Sequence, residues 1–174
     1  MGRLLQALER QIDIYAAGEA ANFDIIVGVA DFFVDYPARC HLPKEDLVVA
    51  KLLESHPGID DEGELFTEHG ELHERSLGLC KAVNRVVLGV SPPRSELVDV
   101  ARDFVAGSFR HMSEEEGSLF PTAERVLGPA EWADIEDRLL QVACPNEESS
   151  AGPMFRRLSD RLLALEPKVG ERAI

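Results

Sequence analysis

Apolar residues recur every three to four positions along almost the whole chain, and strand-like alternation is absent. The first stripe runs from Leu4 to Tyr15 and ends near Gly18, a residue that suits the left-handed turn after a helix. The same spacing predicts further helices over 22–36, 44–54, 64–88 and 95–120. The pattern therefore predicts an all-α protein.

Prolines mark where these helical runs bend or stop. Pro37 and Pro43 each remove a backbone donor and disfavour helix in the preceding residue, so we expect residues 36–46 to be kinked or broken. Four principal helices predict an up-and-down bundle over residues 1–143, and Pro129 begins an additional short helix. Residues 144–174 are predicted to be a polar linker followed by a C-terminal helix packed on the bundle.

Length and charge narrow the classes of function. The chain has 174 residues, of which 45% are hydrophobic, enough for one domain with a sizeable core and too few for two. Its 32 acidic and 18 basic residues give a formal net charge of −14, which repels nucleic acid and anionic lipid. No run approaches the roughly 18 apolar residues of a membrane span. We expect neither nucleic acid nor membrane as a partner.

The cysteines and the N-terminal segment bear on location. Cys40, Cys80 and Cys144 are odd in number, far apart and never in a CxxC pair, which predicts neither a disulfide framework nor a thiolate zinc site. Cys40 beside His41 could tune the site or be oxidised there, but a passive buried thiol is favoured. The segment MGRLLQALERQ has charges among its apolar residues and is unlike a signal peptide. These features favour a cytoplasmic protein.

Four of the five histidines belong to pairs of metal-ligating residue types spaced four residues apart. In chain order the pairs are His41 with Glu45, His69 with His73, and His111 with Glu115. Positions i and i+4 lie on one face of a helix, so each pair can aim both side chains at one point. Three such pairs on neighbouring helices would supply imidazoles and carboxylates to one cavity, which suits two transition-metal ions.

Each pair also has an ordinary interpretation. A single histidine with a glutamate one turn away is typical of a surface ion pair, and only the combination of three pairs favours a metal site. The Glu-x-x-His pairs of ferritin-like bundles are absent, as is the HExxH motif of zinc proteases. Glycine-rich phosphate loops are absent too.

Three segments carry a resemblance to a known family. In order along the chain, DYPARCHLPKED, EHGELHERSLGL and FRHMSEEEGSLFPTAERVL resemble the signatures of the hemerythrin-like, or HHE cation-binding, domain family. The resemblance runs from residue 1 to about residue 140. It implies a four-helix bundle with a non-haem di-iron centre, bridged by two carboxylates and an oxygen species, that binds or senses oxygen or handles iron. The residues it implies are His69, His73 and His111 on one iron, His41 on the other, and Glu45 and Glu115 as bridges.

Two positions depart from the family's pattern. The family often has a double histidine where this chain has His41 and Leu42, a minor loss because His41 is the residue that pairs with Glu45. The family's first helix normally contributes a histidine ahead of a run such as MGRLLQALERQ. Either that ligand lies upstream of Met1, or the second iron has only His41 and the bridges. We then expect unequal occupancy, with the three-histidine position filled first.

Other ligand choices stay open at this stage. Zinc or manganese could replace iron at the three-histidine position, because affinity order alone does not select iron. Glu68 and Glu114 are nearby acids that could contact the ligands from outside or serve as a spare ligand, although a solvated helix face is favoured for both.

Three functions follow from these features. The first is a protein that binds or senses oxygen or a related small ligand such as nitric oxide. The second is a di-iron enzyme acting on peroxide or nitric oxide, which is less favoured because the sequence identifies no proton donor for turnover. The third is an interaction module whose metal site is incomplete. For that module, an apolar stripe on the last helix would dock a second copy or, more ordinarily, its own bundle: Phe155, Leu158, Leu162 and Leu165.

Overall fold

The structure is a computed structural model that describes residues 1–57, 62–90, 92–141 and 151–165. Secondary structure within these residues is helical, with no strand among them, which confirms the predicted all-α class. No helix in the described ranges is both long enough and apolar enough to cross a membrane.

The helices follow one another with short connections. Their bounds are α1 Gly2–Ala16, α2 Phe23–Tyr36, α3 Leu42–Ser55, α4 Glu62–Val87, α5 Arg94–Glu114, α6 Phe120–Val126, α7 Pro129–Leu139 and α8 Ala151–Ala164. Two π-helical turns join consecutive helices: π1 (Pro37–His41) lies between α2 and α3, and π2 (Glu115–Leu119) lies between α5 and α6.

Four rods form the bundle. Two are single helices, α1 and α4, and two are bent rods in which a π-turn joins two helices, α2 to α3 and α5 to α6. The α1 helix packs on α2 and α5, while α4 packs on α2, α3 and α5, so the ring of rods closes. Each rod therefore neighbours the next in the chain, which confirms the predicted four-helix up-and-down bundle.

Burial of the apolar stripes holds the rods together. The main core contains fully buried side chains from the first two rods and from α4 and α5, including Leu5, Leu8, Ile25, Ile26, Leu79 and Phe104. A second core fixes the far end of the bundle, where α7 covers α3 and α6: Val49, Leu52, Leu119, Ala123, Leu127 and Ile135. Each fully buried leucine or isoleucine contributes about 1.5–3 kcal/mol.

The expected kink or break near Pro37 is a π-turn. The Leu42 N–H donates to the carbonyl of Pro37, five residues earlier, so the rod bends while its backbone stays hydrogen-bonded. Pro43 lies in the first turn of α3, directly after the π-turn, and the bend there accommodates a residue that has no N–H to donate. The segment is therefore not broken. Glu115 begins the second π-turn in the same manner, with the Phe120 N–H donating to its carbonyl.

The last helix packs on the bundle. The α8 helix contacts α2 and α1, with Leu162 buried and Leu158 partly buried against the main core, while Leu165 is exposed. The side chain of Phe155 and the predicted boundary at residues 143 and 144 lie outside what the structure describes.

Candidate metal centre

Four of the six predicted ligands converge in the bundle. Buried Glu45, His69, His111 and Glu115 each offer one ligand atom, and these four atoms all lie within 4.8 Å of one another. Three rods supply them, because Glu45 lies in the first turn of α3, His69 on α4, and the other two where α5 meets π2. Both π-turns thus lie beside the cluster, as π-bulges often do at functional sites.

Glu45 lies between two imidazoles. Its Oε1 is 2.9 Å from Nε2 of His41, and its Oε2 is 3.7 Å from Nε2 of His69. His41 belongs to π1 and His69 to α4, so the two oxygens of one carboxylate face histidines from different rods.

His111 completes the cluster from the opposite side. Its Nε2 is 2.8 Å from Oε1 of Glu115, one turn further along the chain. The rings of His69 and His111 meet edge to face with their centroids 4.9 Å apart. Their Nε2 atoms therefore share one small volume with the two carboxylates.

The Nδ1 atoms of the same two rings have carboxylate partners. Nδ1 of His69 lies 2.8 Å from Oδ1 of Asp46, and Nδ1 of His111 lies 3.2 Å from Oε2 of Glu68. Nothing in the residue spacing pointed to Asp46, and for Glu68 a solvated helix face was favoured over contact with a ligand. Both are neighbours of ligands in the chain, but spacing alone does not predict that each reaches an imidazole on another helix. Glu114, the other acid considered, is exposed.

Five buried atoms of the cluster face only one another or His41 and make no well-aligned hydrogen bond among the described residues. They are Oε1 and Oε2 of Glu45, Nε2 of His69, Nε2 of His111 and Oε1 of Glu115. Leaving a buried polar atom unpaired costs about 1–3 kcal/mol of stability. Bringing five poorly paired atoms together is therefore destabilising unless a ligand binds them. A cation at their centre would satisfy all five at once. Imidazole nitrogens and carboxylate oxygens suit first-row transition metals, and this donor set fits such an ion.

His73 lies on the wall of an adjoining cavity. The cavity has a volume of about 40 Å³ and is also lined by His41, His111, Phe33 and Phe104. It can hold a few atoms, since a water molecule needs at least roughly 10–15 Å³. His73 is half-buried and is not one of the four clustered ligands, while His41 reaches the cluster through Glu45.

Comparison with known families decides what kind of domain this is. The model of the hemerythrin HHE cation-binding domain matches residues 2–123, well over half of the chain. The chain belongs to the hemerythrin HHE cation-binding domain family. The matched segment contains the whole cluster, His41 and His73, and ends inside α6, so α7 and α8 lie beyond it. Comparisons with curated proteins and with solved structures gave no match.

In this hemerythrin domain, neighbouring side chains shift the pKa values of Glu45 and His111 toward the charged form of each group. Burial raises the pKa of Glu45, but the adjacent His41 imidazole, Glu115 and His69 outweigh burial and hold that pKa below its ordinary value. For His111, burial lowers the pKa, while contacts with Glu115 and Glu68 and the charge of Glu45 raise it above 6.5. Glu45 thus stays ionised and attracts positive charge to the place where a cation would bind.

Cys40 differs from its prediction. The residue is buried beside His41 and is disulfide-bonded, whereas the sequence predicted a passive thiol and no disulfide framework. Cys80 is a free thiol, and burial raises its pKa. Disulfides are uncommon in a reducing cytoplasm, so the cytoplasmic location stays a prediction.

Proposed function

We propose that this hemerythrin domain holds two iron ions, bridged by Glu45 and Glu115, and uses them to bind or sense oxygen or a related small ligand. The observation that carries the proposal is the position of Glu45, whose two oxygens face His41 and His69 from different rods. A carboxylate that joins two metal ions needs a terminal ligand beside each of its oxygens, and Glu45 has one on each side.

The remaining ligands divide between the two ions. We assign His69, His73 and His111 to one iron and His41 to the other. Edge-to-face contact between the His69 and His111 rings supports their sharing of an ion. His73 follows His69 by one helical turn, so both side chains lie on the same face of α4.

The charge of the site accommodates two ions. Four carboxylates contact the clustered imidazoles, namely Glu45, Glu115, Asp46 and Glu68. At one negative charge each they total −4, the charge that two divalent cations offset. A single divalent ion offsets the two buried carboxylates, Glu45 and Glu115, and a second would also offset Asp46 and Glu68, which solvent screens because they are 39% and 35% exposed.

The chain's own residues would define what reaches the metal. When bound, iron would supply reversible exchange between the Fe(II) and Fe(III) states, which supports the binding of oxygen or of a related small ligand such as nitric oxide. Phe33 and Phe104 line the cavity beside His41 and His73, and an apolar wall favours a small uncharged molecule over a hydrated ion. With only His41 as its terminal ligand, the second position keeps room for that molecule. Five buried donor and acceptor atoms that converge without well-aligned hydrogen bonds argue for a working cation site rather than a vestigial one.

The test is reconstitution with iron. We expect metal-free protein, loaded with Fe(II) without oxygen and then exposed to oxygen, to develop near-ultraviolet and visible charge-transfer bands. The His69→Ala variant should lack these bands because it loses a buried ligand. The His56→Ala variant is the matched control, since His56 ends α3 and contacts the carbonyl of Val126 rather than the cluster. Iron-loaded wild-type protein without oxygen-dependent bands would refute the proposal.

A further inference from the structure

Two carboxylates hold the clustered imidazoles from outside. Asp46 on α3 contacts Nδ1 of His69 on α4 at 2.8 Å, and Glu68 on α4 contacts Nδ1 of His111 on α5 at 3.2 Å. Each imidazole is therefore contacted by an acid on the neighbouring helix. The pattern repeats once around the bundle, from α3 to α4 and from α4 to α5.

These contacts decide which ring nitrogen carries the proton. An ionised carboxylate accepts hydrogen bonds and has no proton to donate. A neutral imidazole that contacts it through Nδ1 therefore carries its proton on Nδ1. The lone pair then sits on Nε2. In both rings Nε2 is the buried atom that faces the cluster: it lies 3.7 Å from Oε2 of Glu45 in His69 and 2.8 Å from Oε1 of Glu115 in His111.

We propose that Asp46 and Glu68 are positioning residues, which fix the Nδ1–H tautomer and the ring orientation of His69 and His111 and thereby set the affinity for a metal ion. The inference rests on the proposed function for the identity of that ion. Under the assignment above, both carboxylates act on the same ion, the one that His69 and His111 share. Hydrogen bonding to a carboxylate also makes an imidazole a stronger donor, so this ion binds more tightly than the other.

The exposed fraction of each side chain distinguishes the two acids, which position the rings, from the two histidines, which would coordinate the ion. The side chains of His69 and His111 are only 7% and 8% exposed, whereas those of Asp46 and Glu68 are 39% and 35% exposed. The acids thus reach from solvent to the outer edge of each ring. Because they are half-exposed, substitutions at these two positions leave the buried core of the bundle intact.

The first test measures affinity for Zn²⁺ by competition with a chelator. We expect Asp46→Ala and Glu68→Ala to weaken binding of the tighter ion about 10–100-fold. Asp46→Asn should lose less than Asp46→Ala, since its amide oxygen still accepts from Nδ1. The matched control is Glu71→Gln, which removes one charge from the cleft that Glu68 also lines, yet Glu71 pairs with Arg75 and contacts neither imidazole.

The second test needs no metal and therefore separates this inference from the proposed function. Long-range ¹H–¹⁵N spectra of the metal-free protein at about pH 9, where imidazoles are neutral, report which ring nitrogen is protonated. We expect the Nδ1–H form for His69, whose Nε2 lies 3.7 Å from Glu45, and a detectable Nδ1–H population for His111, whose Nε2 also lies 2.8 Å from Glu115. Asp46→Ala should shift His69 toward the Nε2–H form and leave His111 unchanged, and Glu68→Ala should do the reverse.

The outcomes distinguish the two ideas. Wild-type protein that binds no iron but shows both Nδ1–H tautomers refutes the proposed function and supports the positioning role. Variants that keep wild-type Zn²⁺ affinity, or that keep the wild-type tautomers, overturn the positioning role. A Glu71→Gln variant that weakens Zn²⁺ as much as Glu68→Ala overturns it too, because net charge would then explain the effect.

Discussion

Leu162 of α8 packs directly onto Gly28 of α2. A Cβ atom on Gly28 would overlap the Cδ2 atom of Leu162, which is itself buried in the main core. Glycine at this position therefore lets the last helix approach α2 closely. The contact joins α8, which lies beyond the family match, to the helix that leads into the metal centre through π1.

Gly28→Ala should loosen α8. Alanine gains about 0.5–1 kcal/mol of backbone stability in a helix, but displacing Leu162 costs about 1–3 kcal/mol, so docking of α8 weakens. We expect faster amide hydrogen exchange over 157–165, about tenfold for each 1.4 kcal/mol lost. Gly78→Ala on α4 is the control, because nothing lies within 4 Å of a Cβ there and the variant should be more stable. Equal exchange in the two variants would contradict the packing described.

Metal should stabilise the protein through Glu45. An ion at one hundred times its dissociation constant adds about 2.7 kcal/mol, or roughly 5–10 °C in melting temperature for a domain of this size. Glu45→Gln should remove most of that rise, since it takes the central carboxylate from the cluster. Glu74→Gln, at an exposed position on α4, should keep it. Scanning calorimetry with and without Mn²⁺ measures the difference, and a full rise in Glu45→Gln would show that the ion binds elsewhere.

The two histidines beside the cavity should affect different ions. His41→Ala removes the only imidazole assigned to the second position, so metal analysis should find one tightly held ion per chain. His73→Ala leaves His69 and His111 in place and should weaken the first ion without eliminating it, by about 10–100-fold. Identical metal content in the two variants would argue against the division of ligands proposed above.

Acid should weaken the docking of α7 on α3. Nζ of Lys51 on α3 lies 2.5 Å from Oδ2 of Asp134 on α7, and this hydrogen bond holds the pKa of Asp134 below its ordinary value of 3.8. A lowered pKa means that the contact stabilises the fold above about pH 4 and is lost as pH falls through the lowered value. Trp132, the single tryptophan, packs on the second core and reports the change by fluorescence.

Lys51→Met tests the cause of that acid sensitivity. The variant should show partly loosened α7 at neutral pH and a transition nearer the ordinary carboxyl range, because Asp134 then keeps only Arg138 as its cationic partner. A Trp132 transition at the same pH in both proteins would contradict the assignment to Asp134.

The periodicity of apolar residues was sufficient to predict the helices and the bundle, because burying one stripe per helix leaves few arrangements of four rods. The π-turns were harder to foresee. Pro37 indicates an irregular backbone, but it is compatible with either a π-turn or a break. The packing of α3 on α4 and α7 favours the continuous rod.

The metal centre was only partly predictable. Spacing of four residues on a helix brings His111 to Glu115 and His41 to Glu45, and both contacts depend only on local geometry. Contacts between rods depend on rotation and register, which the pattern does not specify. Asp46 reaches His69, and Glu68 reaches His111, through such contacts. The apolar stripe of α8 was visible in the sequence. The contact of its Leu162 with Gly28 became apparent only from the packing of the helices.

We propose that the bundle holds two ions that share Glu45 and Glu115. Titration of metal-free protein with Fe(II) in the absence of oxygen, followed by calorimetry, counts the ions and their affinities in one measurement. We expect two ions per chain, with the first bound more tightly than the second. Saturation at one ion per chain, or two equal ions whose binding survives the Glu45→Gln substitution, would contradict it.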